Sequence, residues 1–216
     1  MSATHLIVVR HVETTWNAER RTQGQLDSPP TKVGVEQARA LAARFAAEEE
    51  KFTELYSSDL GRARFTAEQI GRAIKYEVLL EKGLRERHFG IFGGLTDEEC
   101  REKFPVEFES WQKDLVNYPI PGGESWHEFY RRAAQCFEEL VKREAGKRIV
   151  VVTHGGVLDS LFRHVFEVPL GRRRHAKLWN ASINVFTFNT GVWQLNSWGD
   201  RYHLRSIGAI DDSTVP

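Results

Sequence analysis

The chain has 216 residues, 41% of them hydrophobic and 11% aromatic, which suits one globular domain with a sizeable core. Thirty Lys and Arg balance thirty Asp and Glu, so no one-signed field favours nucleic acid or an anionic membrane surface, and only a local basic pocket stays open. The longest apolar runs, residues 6–9 and 149–152, fall far short of the roughly 20 residues of a membrane span, and no leader pattern precedes the first strand-like run; a cytoplasmic location is expected.

Hydrophobic periodicity switches back and forth along the chain, the pattern of an α/β domain. Residues 6–9 form an unbroken apolar run, as expected of a strand buried on both faces of a parallel sheet. Val33, Ala38, Leu41, Ala42 and Phe45 recur at helical spacing over 31–50, behind Thr31 as N-cap. A strand over 52–57, a helix over 60–74 and a strand over 76–80 follow. Residues 81–96 read as irregular, with Gly83, Gly90, Gly93 and Gly94. Short helices are predicted over 96–104 and 106–115, then a break at 119–123. Residues 124–143 form a long amphipathic helix with Phe129, Ala133, Phe137, Leu140 and Val141 on one stripe. A second strongly apolar strand, 148–153, leads through His154-Gly155-Gly156 into a helix over 157–166. The runs 182–189 and 192–198, separated by Thr190-Gly191, read as a hairpin, whose edges suit pairing with a second copy in a homodimer. There is no internal repeat or Gly/Ser/Pro-rich linker, so residues 1–216 read as one domain with a cap segment at about 84–123.

Cys100 and Cys136 make no disulfide framework and no CxxC, and both read as structural thiols. No HExxH and no Asp/Glu cluster stands at metal-ligand spacing, so no metal is expected. No GxGxxG follows a strand, which excludes a Rossmann dinucleotide enzyme. His5, His127, His164, His175 and His203 carry no site signal, and Arg172-Arg173-Arg174 reads as a solvated loop.

The chemistry concentrates after the two most buried-looking strands, at Arg10-His11 and at His154-Gly155-Gly156. The carboxyl ends of strands in an open α/β sheet form the rim where ligands bind, and neighbouring strands would bring the two imidazoles face to face. Arg10 offers a planar fork for phosphate or carboxylate oxygens, Asn17 an amide, and Gly24 and Gly155 close backbone approach. Arg62 falls in the first turn of the 60–74 helix, at the positive end of its dipole. So many donors match a phosphoryl group better than a carboxylate.

Leu6-Ile7-Val8-Val9-Arg10-His11-Val12-Glu13-Thr14-Thr15-Trp16-Asn17 resembles the Arg-His-Gly-Glu-Thr-x-Trp-Asn signature of the histidine phosphatase superfamily, phosphoglycerate-mutase-like branch. Similar landmarks follow in order: Arg21-Thr22-Gln23-Gly24 with Asp27, Pro29 and Thr31; Ser57-Ser58-Asp59-Leu60 with Arg62-Ala63; Leu84-Arg85-Glu86-Arg87-His88-Phe89-Gly90; Pro121-Gly122-Gly123-Glu124-Ser125; and Val152-Thr153-His154-Gly155-Gly156. The resemblance spans residues 5–200. It implies a three-layer α/β/α sandwich with a mostly parallel central sheet and a small helical cap. It further implies His11 as the nucleophile that becomes a phosphohistidine and Glu86 as the general acid and then base. Arg10, Arg62 and His154 would grip the phosphoryl oxygens, with Asn17, Gln23, Gly24 and Gly155 as further donors. Arg87 and His88, one and two residues beyond the expected acid, are expected near the substrate.

One departure is Val12, where the family carries glycine or another small residue; negative φ is expected there, with the side chain narrowing the pocket wall. The segment 104–120 carries no arginine and is rich in Phe, Trp and Tyr. That favours a phosphomonoesterase acting on a small phosphorylated metabolite without a cofactor. The alternative is a cofactor-dependent phosphoglycerate mutase primed by 2,3-bisphosphoglycerate, which Glu86-Arg87-His88-Phe89-Gly90 resembles. A phosphate-binding or signalling module without turnover is the reading from another class.

Overall fold

The two apolar runs become adjacent parallel strands at the centre of a six-stranded sheet. The computed structural model describes residues 2–173 and 176–207. The strands are β1 (Thr4–Arg10), β2 (Glu54–Ser57), β3 (Val78–Leu80), β4 (Arg148–Thr153), β5 (Ile183–Asn189) and β6 (Val192–Asp200), in the spatial order β3-β2-β4-β1-β5-β6. β1 to β4 run parallel, while β5 and β6 are antiparallel and form the hairpin. The helices are α1 (Thr15–Ala18), α2 (Lys32–Ala46), α3 (Gly61–Ile74), α4 (Asp97–Lys103), α5 (Pro105–Lys113), α6 (Trp126–Arg143) and α7 (Gly155–Phe166).

Alternation along the central strands explains the three layers. Leu6 and Val8 of β1 pack with Ile149 and Val151 of β4 against α6 and α7. Ile7, Val9, Val150 and Val152 point the other way, against α2 and α3. A strand covered by helices on both faces has no solvent side, so its residues read as one apolar run. The stripe on α6 lands as expected, with Phe129, Ala133, Phe137, Leu140 and Val141 buried behind a capping box of Ser125 and Glu128. A third, separate cluster of Phe92, Cys100, Phe108, Trp111 and Ile120 gives the cap its own small core.

The differences from the sequence reading sit at element ends. α2 stops at Ala46 rather than 50, because Glu48, Glu49 and Glu50 would oppose the negative end of its dipole; Glu48 and Glu50 instead pair with Arg148. α5 starts one residue earlier, with Pro105 in its first turn, where a missing N–H is no loss. α7 begins at Gly155, so both glycines lie in its first turn. The single turn α1 was not anticipated. Burial pushes the Cys100 thiol up to about 11 and that of Cys136 to about 12, which keeps both protonated and unreactive. Among the described residues no helix is long and apolar enough to cross a membrane.

Candidate active site

Sheet register assembles the site. Arg10 stands opposite Thr153 in the β1–β4 ladder, and the His11 N–H donates to the Thr153 carbonyl at 2.9 Å. His11 and His154, each the next residue along, therefore leave the sheet side by side, with ring centroids 5.2 Å apart. His11 Nδ1 lies 2.7 Å from the Val12 carbonyl, an acceptor only, so this nitrogen carries the proton and Nε2 carries the lone pair. Arg62 Nε donates to that Nε2 at 3.3 Å. Burial first, then Arg62 and Arg10, hold the His11 pKa well below its usual value, so the ring is neutral at physiological pH.

Arg62 is 2% exposed and held from three sides. Its Nη1 donates to the Leu26 carbonyl at 2.8 Å and to Asp27 Oδ1 at 2.9 Å, and its Nη2 to the Gly24 carbonyl at 2.7 Å. Asp27 also accepts from the Gly61 N–H at 2.7 Å, capping a helix whose own Leu60 has no capping side chain. Burial lowers the Arg62 pKa, opposed by Glu86 and Asp27. Arg10 is buried as well, donating through Nη1 to the Leu178 carbonyl and lying against Gly155, where a Cβ would come within 3.4 Å of the guanidinium. His154 is fully buried; its Nε2 pairs with Ser58 Oγ at 2.8 Å, and its Nδ1 has no partner among the described residues. Burial and the cations Arg62 and Arg10 depress its pKa too.

Glu86 reaches the same cavity, a cleft of about 510 Å³, within the size range of small-molecule sites. Its carboxylate accepts from the Gly156 N–H in the first turn of α7 at 2.9 Å and from the Arg87 N–H at 2.8 Å. Arg87 is 3% exposed, donates to the Glu124 carbonyl at 3.0 Å and lies against the rings of Phe89 and Trp126. Burial pulls its pKa down to about 10, which leaves it charged at neutral pH. Its Nη2 has no partner among the described residues.

All the residues singled out from the sequence line this cavity except His154 and His88. His154 is wholly buried beside His11, its ring 5.2 Å away. His88 is turned into the loop: its N–H donates to Glu124 Oε2 at 2.8 Å and its Nδ1 accepts from the Gly90 N–H at 3.1 Å. It shapes a turn instead of touching the cavity. The expectation for Val12 is half right. Its φ is not positive, but its side chain is buried in the core under α2 and α3 and narrows no pocket. Gly24 has φ +56°, which suits glycine, and its engaged group is the carbonyl that holds Arg62. Asn17 and Gln23 line the cavity with their oxygens tied to Thr14 and Ser28. Ser58, Gly156 and Asn180, whose Nδ2 donates to the His11 carbonyl at 2.9 Å, were missed. Arg174 and His175 lie outside the described residues.

A neutral imidazole with an unprotonated ring nitrogen, set among two buried guanidiniums and beside a carboxylate, defines a phosphoryl-handling site of the histidine type. The family model described as histidine phosphatase superfamily (branch 1) matches residues 6–201, and the chain belongs to that family. It is 40% identical over 208 residues to phosphoglycerate mutase-like protein 4 of Arabidopsis thaliana, covering 95% of this chain and 89% of the relative. It is 39% identical to the metal-independent phosphoserine phosphatase of the same plant, covering 96% and 86%. Among solved structures it resembles the phosphoserine phosphatase of Entamoeba histolytica in complex with 3-phosphoglyceric acid, at 30% identity and a TM-score of 0.80, covering 93% of this chain and 99% of that one. The chain is accordingly a phosphoric monoester hydrolase of the histidine phosphatase class.

Proposed function

We propose that this protein hydrolyses a small, carboxylate-bearing phosphomonoester through a phosphohistidine at His11, with no metal and no cofactor. The observation that carries the reading is the neutral His11 ring, its Nε2 facing the Arg62 Nε at 3.3 Å in the cavity that Glu86 shares. His11 Nε2 attacks phosphorus while the bond to the leaving alkoxide breaks, and the alkoxide takes the proton of Glu86. Water then attacks the phosphohistidine and gives its proton to Glu86, and the N–P electron pair returns to Nε2 as phosphate leaves. Arg10, Arg62 and His154 Nδ1 donate to the equatorial oxygens, where charge must be stabilised.

Arg87, buried with Nη2 unpartnered among the described residues, is a ready partner for a substrate carboxylate, which agrees with the phosphoserine and 3-phosphoglyceric acid in the relatives' names. Hydrolysis is favoured over mutase turnover because Glu19, Asp97 and Glu98 stand along the cavity with Arg20 and Arg21, and Arg21 is already paired with Glu99. That rim offers little to a second phosphate. Phosphate release from phosphoserine, 3-phosphoglycerate and p-nitrophenyl phosphate in EDTA tests the proposal. His11→Ala should lower kcat/KM for every ester by at least about 10⁴-fold, and quenched turnover should leave an acid-labile phosphoryl group on wild-type protein alone. Retained turnover in that variant would overturn the reading.

A further inference from the structure

Glu86 sits in a stretch with no strand to fix it, between a single 3-10 turn at Lys82–Leu84 and another at Gly90–Phe92. One side chain outside the cavity takes over that task. Arg132, two turns into α6, points its guanidinium at the main chain that carries Glu86. Its Nη1 donates to the carbonyls of Gly83 at 3.1 Å and Arg85 at 2.9 Å, and its Nη2 to that of Glu86 at 3.3 Å. The two remaining N–H groups, on Nε and Nη2, bond the Glu124 carboxylate side-on, at 2.9 Å each. All five guanidinium donors are thereby used, three of them on carbonyls within the four residues 83–86. Glu124 closes the loop from the other side, accepting from the His88 N–H at 2.8 Å while its own N–H donates to the His88 carbonyl at 2.8 Å. Gln25 adds a bond from Nε2 to the Glu86 carbonyl at 3.2 Å. The Arg132 guanidinium carbon also lies 5.2 Å from the centroid of the buried Phe129 ring, which sets the clamp against the core face of α6.

We infer that Arg132, braced by Glu124, is a positioning residue for the Glu86 acid: it fixes the main chain of 83–88 so that the Glu86 carboxyl meets the leaving group. No other side chain can replace it donor for donor. Lysine has three N–H groups for five acceptors and no planar fork. The phosphoryl grip of His11, Arg10 and Arg62 draws instead on the strand ends and on residues 24–27, whereas Arg87 lies in the clamped stretch beside Glu86.

The inference rests on Glu86 being the proton donor, and that dependence supplies the test. A p-nitrophenolate leaves without a proton, whereas the alkoxide of an ester such as β-glycerophosphate, which has no carboxylate for Arg87 to hold, needs one. In Arg132→Ala, kcat/KM for the alkyl ester should fall by about 10²-fold, the low end for lost general acid catalysis, while that for p-nitrophenyl phosphate stays close to wild type. Glu86→Gln should show the same split. Equal losses on both esters, or none on either, would overturn the inference while Glu86→Gln keeps its split. Absence of the split in Glu86→Gln would instead overturn the acid assignment beneath it. Should Arg132→Ala fail to fold, Arg132→Lys carries the same comparison, with a smaller split expected in the same direction.

Discussion

His11, His154 and Arg62 sit at the ends of regular elements, just past β1, just past β4 and in the first turn of α3, and backbone ladders fix their spacing before any side chain acts. Glu86 sits in chain that has no ladder and is held piecemeal: by the Arg132 and Gln25 side chains on its main chain, and by the backbone amides of Gly156 and Arg87 on its carboxyl. On the proposed mechanism, the first region receives one tetrahedral anion and the second places a proton. A site divided in this way can keep its phosphoryl grip while the surroundings of the acid and the cap change, and the cap packs on its own cluster of Phe92, Phe108 and Trp111, with ring centroids 5.5–5.9 Å apart.

Removing a donor from the receptor should harm every substrate alike. Arg62→Ala deletes the cation that faces His11 Nε2, and kcat/KM should drop by about 10²–10³-fold on alkyl and aryl esters together. A loss confined to alkyl esters would mean that Arg62 serves the leaving group, and the division between the two regions would fail. Gly156→Ala strikes the second region from the side of α7. A Cβ there would run into Glu86 Oε1, displacing the carboxyl from its amide while leaving His11 untouched. The kcat/KM for the alkyl ester, which reports the leaving-group step, should fall by up to about 10²-fold, as for a reacting group misplaced by an ångström, and kcat/KM for the aryl ester should change far less. Helix propensity favours alanine over glycine by about 1 kcal/mol, so a urea titration should show no broad loss of stability to blame for the effect.

The same division governs what could be read from the sequence. His11, His154, Arg10 and Arg62 were legible because apolar runs announce strands and the residue after a strand end has a fixed place. The neighbouring position of β1 and β4, on which the pairing of imidazoles depends, was only an expectation until the register was seen. Ser58 and Asn180 carried no signal of their own, since a serine or asparagine becomes a histidine's partner only through tertiary contact. Val12 was misplaced for a related reason: side chains alternate about the sheet end, and the one after His11 turns into the core under α2 and α3. His88 was assigned to the substrate by its nearness to Glu86 in sequence, but irregular chain gives no periodicity from which its direction could be inferred. The Arg132 clamp was invisible because Arg132 reads as one more polar residue on an amphipathic helix.

Acid should unpick the two regions at different pH. The unfolded chain protonates each histidine near 6.5, whereas burial beside Arg62 and Arg10 keeps His11 and His154 neutral in the folded protein. The unfolded state then binds more protons, so stability is lost as pH falls below 6.5. His203, lowered by burial, adds to this slope. The ion pairs outside the receptor work through carboxylates: Arg85, next to Glu86, lowers the pKa of Asp59, and Arg21 lowers that of Glu99. Their contribution is complete above the unfolded values of 3.8 and 4.5 and fades only as pH drops through the lower folded ones. Urea midpoints measured from pH 7.5 to pH 5 should therefore report mainly on the histidines. His154→Asn removes one of the two buried rings of the receptor and should make that decline shallower, while Asp59→Asn should leave its slope unchanged and flatten the curve only at lower pH. If His154→Asn kept the wild-type slope, the ring would already be charged in the folded protein. The phosphoryl receptor would then be two guanidiniums and an imidazolium, and His11 would need some other means to stay neutral beside them.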